Sequence, residues 1–123
     1  MKIGRWLTGI GSVVLFLTGI GHGTKLSQVQ GMLAASGVKA PLDGIVKGCW
    51  LAFSGEMTAL AVIALVASGM QRGGWIVLLC AATMIFNVGL LLHFVGPFVG
   101  LYISLAVGVL FLAGGLMQMK QAA

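Results

Sequence analysis

Charge is nearly missing from this chain. It holds two acidic and seven basic side chains in 123 residues, and charged residues make up 7% of it. A soluble domain carries roughly 25%. A surface facing water cannot be assembled from so few charges, so a soluble globular protein is excluded. Hydrophobic residues make up 59%, and the mean hydropathy is +1.11. A bilayer removes the need for a polar exterior, because the outside then faces hydrocarbon.

Other absences narrow the chemistry. The two cysteines, Cys49 and Cys80, stand inside apolar runs with no CxxC pairing. They are expected as free thiols packed like small hydrophobes. No nucleotide loop, nucleophile elbow or HExxH motif is present, so hydrolysis and phosphoryl transfer have no positive support. The net charge of +5 is scattered, and no basic run interleaves with aromatics. That pattern suits anchors at a membrane surface and gives no nucleic-acid footprint. Lys2 and Arg5 precede an apolar run, as in a signal peptide, but no A-x-A-like cleavage site follows. The run is expected to be a retained first helix.

What the sequence does contain is four long apolar segments, at about residues 6–22, 45–70, 75–93 and 95–117. Crossing hydrocarbon takes roughly 20 residues of helix. Alternation of the kind barrel strands need is absent. The expected fold is therefore an all-α integral membrane protein, a bundle of four transmembrane helices forming one domain over residues 1–123. Gln71-Arg72-Gly73-Gly74 is a tight polar turn joining the second and third spans, and Gly96-Pro97 marks the turn into the fourth. Between the first two spans, Leu26, Val29, Met32 and Leu33 recur at helical spacing. Thr24 stands as an N-cap and Gly37 as a stop. This predicts a short amphipathic helix at the membrane surface.

Lys2, Arg5, Arg72 and Lys120 fall on one side of such a bundle. Lys25, Lys39 and Lys47, partly offset by Asp43, fall on the other. The bias places both termini in the cytoplasm. The expected setting is the inner membrane of a bacterium. Gly96, Gly100, Ser104 and Gly108 follow one another at four-residue spacing, and Gly4, Thr8, Gly11, Thr18 and His22 form a related stripe. Small residues so spaced let helix backbones approach. Packing within the chain is favoured over a dimer interface, with a homo-oligomer or a larger membrane complex as the other use.

Several residues are candidates for a site. Glu56 falls deep in the second span, where a carboxylate must be protonated, paired or wetted. No basic residue shares its depth. Asn87 comes level with it when the hairpin is laid antiparallel, and is its natural partner; Cys80 and Thr83 share the Asn87 face. His22 and His93 end the first and third spans at one depth, each with glycines nearby, and Lys25 and Lys47 lie just outside. This arrangement suits haem b held between two imidazoles with its propionates toward the lysines. A divalent metal shared with Glu56 is disfavoured, since Glu56 lies roughly 9 Å deeper. Trp50, Phe53, Phe94 and Tyr102 are expected to line an apolar pocket for a quinone, a sterol or a similar molecule.

The stretch Trp50-Leu51-Ala52-Phe53-Ser54-Gly55, with the later Asn87-Val88-Gly89, resembles over a short length membrane-bound epoxide isomerases that use haem. Where that family's ligating histidine would precede the Ser-Gly pair, this chain has Phe53. The resemblance carries no residue role across. The expected function is a bundle binding a cofactor or apolar ligand for electron transfer, isomerisation or redox chemistry. The alternatives are an accessory subunit and a dimeric proton-coupled exporter that uses Glu56.

Overall fold

A computed structural model of the chain describes residues 3–122, so Lys2 lies outside the described residues. It contains five helices: α1 (Ile3–Thr24), α2 (Leu26–Ala35), α3 (Leu42–Gly69), α4 (Gly74–Phe94) and α5 (Val99–Ala122). Four of them, α1, α3, α4 and α5, are long and apolar enough to cross a membrane. Their outward faces are hydrophobic: Leu17, Val66, Leu79 and Phe86 are each more than 60% exposed. In water such a surface would aggregate. In lipid it is the solvated face, and the chain is an integral membrane protein.

The spans form a ring in chain order. α3 packs closely on α1, α5 packs closely on both α1 and α4, and the α3/α4 seam is looser. α1 and α4 stand at opposite corners. The centre is filled by Leu15, Met57, Ala64, Met84, Val107 and Phe111. Cys80 joins this core as expected, but Cys49 is exposed, on the outward face of α3.

At the end of the bundle holding the termini, glycines set the spacing. A Cβ on Gly4 would lie 2.8 Å from the Gly114 carbonyl, and one on Gly74 would lie 2.9 Å from that of Gly115. The adjacent pair Gly114-Gly115 therefore serves both neighbours of α5, one residue for α1 and the next for α4. Gln118 closes this contact. Its Nε2 donates to Thr8 Oγ1 at 2.9 Å and to the Gly4 carbonyl at 3.3 Å. Side-chain amides and hydroxyls are common glue between helices in lipid.

The helix boundaries differ from expectation where glycine decides. Gly96 has φ +88, outside any helix, and Val95 belongs to the end of α4, where its N–H reaches the Leu91 carbonyl. The fourth span therefore begins at Val99 rather than Val95 and runs on to Ala122. Gly37, at φ +71, stops α2 as expected. Thr24 does not cap α2. Its hydroxyl donates back to Gly21 O at 2.8 Å, and Lys25 holds the cap position with no side-chain bond. Val29 is the buried residue of α2, while Met32 is 60% exposed. Two residues of the four-residue stripe of the last span pack inside the chain: Ser104 is buried and a Cβ on Gly108 would meet Ile85 and Met84 of α4, whereas one on Gly100 would meet Phe98 of its own segment and Gly96 belongs to the turn.

Candidate functional site

The α1/α3 seam toward the α2 end holds two hydrogen bonds between spans and a ring stack. On α3, Trp50, Ser54 and Thr58 stand four residues apart and so share one face. Opposite them on α1 are Gly19, His22 and Gly23. Ser54 Oγ donates to the Gly19 carbonyl, and Trp50 Nε1 donates to the His22 carbonyl at 2.8 Å. The His22 ring stacks on Trp50 with centroids 3.7 Å apart and planes at 17°. Phe53 meets the same ring edge-on at 5.5 Å. A Cβ on Gly19 would come within 2.6 Å of Thr58 Oγ1. Bare backbone on α1 is thus what lets the α3 hydroxyls reach it.

This close approach leaves a groove on the outside of the seam. Its volume is about 710 Å³. α1 lines it with Gly19, Ile20, Gly23 and Thr24, and α3 with Ser54, Gly55, Thr58, Ala59, Val62 and Ile63. A smaller cleft of about 260 Å³ continues along the seam, lined by Ser12, Val13, Phe16, Leu17, Ala61, Val62 and Leu65. Val62 borders both. From Ser12 to Thr24 the two extend roughly 18 Å at helical rise. The lining is almost wholly apolar, and the groove opens sideways, where lipid would stand.

Glu56 and Asn87 meet as the hairpin register predicts. Asn87 Nδ2 donates to Glu56 Oε1 at 2.9 Å, both side chains half-buried. Glu56 is central in α3, and Asn87 lies two turns inside the end of α4. The bond bridges the loosest seam of the ring. Cys80 is buried on α4, and Thr83 turns its hydroxyl to the Leu79 carbonyl at 3.1 Å.

The two histidines do not form a haem-ligand pair. They stand on helices at opposite corners. His22 is half-buried with one ring face covered by Trp50, whereas His93 is exposed and touches the neighbouring Phe94 ring at 4.7 Å. The glycine-flanked space expected beside His22 is taken by Trp50 and Phe53. Among the described residues, no group of three or more His, Cys, Asp or Glu side chains stands close enough to hold a metal ion. Of the two lysines placed near the propionates, Lys47 pairs within its own helix with Asp43 at 2.9 Å, and Lys25 is exposed.

The expected aromatic pocket is also not assembled. Trp50 and Phe53 surround His22, while Phe94 and Tyr102 are 77% and 59% exposed on α4 and α5. None of the four lines the groove. The residues that do line it carried a legible signal: Gly19 and Gly23, and Ser54 and Thr58, are small-xxx-small pairs on neighbouring antiparallel spans.

Comparison of the chain with protein-family models, curated proteins and solved structures finds no match. The fold and the seam define the class: a four-span integral membrane bundle with a lipid-facing groove between its first two spans.

Proposed function

We propose that the protein binds a long apolar molecule in the α1/α3 groove, taking it sideways from the bilayer. The observation that supports this reading is the groove's make-up. It is long and apolar, and it is lined by glycine, small hydroxyl and aliphatic residues of α1 and α3. Ligand sites are concave, mostly apolar and carry a few placed polar groups. On the charge bias, with Arg5, Arg72 and Lys120 at the terminal end, we place both termini in the cytoplasm and the groove in the outer half of a bacterial inner membrane. Electron transfer rested on haem between His22 and His93, and that arrangement gives it no support.

Photolabelling tests the proposal. A fatty alkyl probe bearing a chain diazirine, added to vesicles holding the protein, is expected to crosslink mainly to residues 19–24 and 54–63. Crosslinks spread over the lipid faces of α4 and α5 in proportion to exposure would contradict it.

A second reading rests on the Glu56–Asn87 bond. An ionisable residue inside a span is a functional candidate by default, and this one bridges the least closely packed seam of the ring. In this reading the pair carries a proton as the bound molecule moves. Glu56→Gln preserves a partner for Asn87 but cannot carry the proton. It is expected to hold stability within about 0.5 kcal/mol of wild type, and a double-mutant cycle with alanine at both positions to give a coupling of about 1 kcal/mol. Proton-driven uptake of the alkyl probe into proteoliposomes is expected to stop in Glu56→Gln. Unchanged uptake would leave the pair as glue between α3 and α4.

A further inference from the structure

The hydroxyl groups at the α2 end of the groove are all committed in one direction, whereas that of Ser12, at the far end of the continuing cleft, is buried without a hydrogen-bond partner. Thr24 donates its proton to the Gly21 carbonyl at 2.8 Å, Ser54 to the Gly19 carbonyl, and Thr58 to the Ser54 carbonyl at 3.0 Å. A hydroxyl has one proton and two lone pairs. With these protons spent, what that end of the groove offers a guest is acceptor oxygen. No amide, ammonium, guanidinium or indole lines it. The indole one turn away, Trp50, already donates to the His22 carbonyl at 2.8 Å. Backbone N–H groups along both walls are held in the ladders of α1 and α3.

We infer that the groove selects a straight-chain molecule carrying a hydroxyl donor near its end, such as a long-chain alcohol, over the same chain ending in an ether or ester. This rests on the groove being a binding site and names its ligand class. The reason is a count of bonds. A guest hydroxyl adds a hydrogen bond to Thr58 or Ser54 without breaking one. At that end a guest that only accepts gains a bond only if a hydroxyl turns its proton away from a backbone carbonyl, so the number of bonds is unchanged. In hydrocarbon an unmet polar group has no water to fall back on. The hydroxyl end belongs near Thr24, Ser54 and Thr58, toward the α2 end, with the chain running down the seam toward Ser12.

One net hydrogen bond corresponds to about a fivefold preference. The test uses Trp50 as reporter. Trp6 and Trp75, 57% and 64% exposed at the other end of the bundle, are changed to phenylalanine. Quenching of Trp50 is then measured in nanodiscs titrated with 2,3-dibromohexadecan-1-ol, whose bromines stay beside the hydroxyl end, or with its methyl ether. The alcohol is expected to reach half-quenching at about one fifth of the ether's mole fraction. Thr58→Val, nearly the same shape without the oxygen, is expected to shrink that ratio toward one.

Gly55→Leu separates the outcomes. Gly55 lines the groove, and a Cβ there would meet nothing within 4 Å, so leucine adds bulk to the groove from a position whose Cβ has room. Equal quenching by alcohol and ether, abolished in Gly55→Leu, would overturn the donor preference and leave the groove standing. Quenching by both that ignores Gly55→Leu, or no quenching by either, would overturn both.

Discussion

Leucine in place of Gly114 is expected to destabilise the bundle by about 3 kcal/mol. A Cβ at this position would collide with Thr8 Oγ1 and lie 2.9 Å from the Gly4 carbonyl and 3.1 Å from the Thr8 amide nitrogen. Two of these atoms are backbone of α1, so turning the Thr8 side chain does not relieve the contact. α1 must move away, and the bonds from Gln118 to Thr8 and Gly4 go with it. Overpacking alone typically costs about 1–3 kcal/mol, and the lost bonds leave buried polar groups unmet. Gly9→Ala and Gly89→Ala are the controls, since a Cβ at either would meet nothing within 4 Å. Both are expected to be neutral or to stabilise by up to about 1 kcal/mol, because alanine is the better helix former. Reversible unfolding in mixed micelles reads all three. Gly114→Leu at wild-type stability would mean that α1 and α5 do not approach so closely.

Trp50→Ala is expected to cost about 2–3 kcal/mol and to loosen α2. The indole supplies a stacked face to His22, a hydrogen bond to the His22 carbonyl and much of the bulk at that end of the α1/α3 seam. Burial in lipid gives no hydrophobic transfer term between spans, so the loss sits below the 3–5 kcal/mol usual for large aromatics in water-soluble cores. Trp50→Phe keeps a ring for stacking and loses the N–H, and about 1 kcal/mol is expected. α2 packs on α3 and α1 and buries Val29, so amide exchange in residues 26–35 should quicken in Trp50→Ala and change little in Trp50→Phe. Equal exchange in both would detach α2 from the Trp50–His22 stack.

The spans were legible because hydrocarbon leaves the backbone one solution: long apolar runs become helices, and Gly73-Gly74 and Gly96-Pro97 punctuate them. The Glu56–Asn87 contact was legible for a related reason. A tight turn fixes the register of α3 against α4, and few strongly polar groups share that depth. What sequence left open was rotation about each helix axis. His22 and His93 share a depth in the sequence pattern, yet one stacks on Trp50 and the other faces outward. Depth follows from counting residues, whereas facing is set by how neighbours pack. The same limit scattered the four aromatics expected in one pocket. The Gly114-Gly115 contact was hidden differently: two adjacent glycines serve two neighbours, a pattern that a search at four-residue spacing passes over.

Native mass spectrometry of the protein released from mild detergent tests the central claim most directly. The sample is first incubated with hexadecan-1-ol. Wild type is expected to keep one alcohol molecule through removal of the detergent. Gly89→Leu, altered on α4 away from the groove, is expected to keep it too, and Gly55→Leu to lose it. The same adduct on all three proteins, or on none, would contradict a binding groove between α1 and α3.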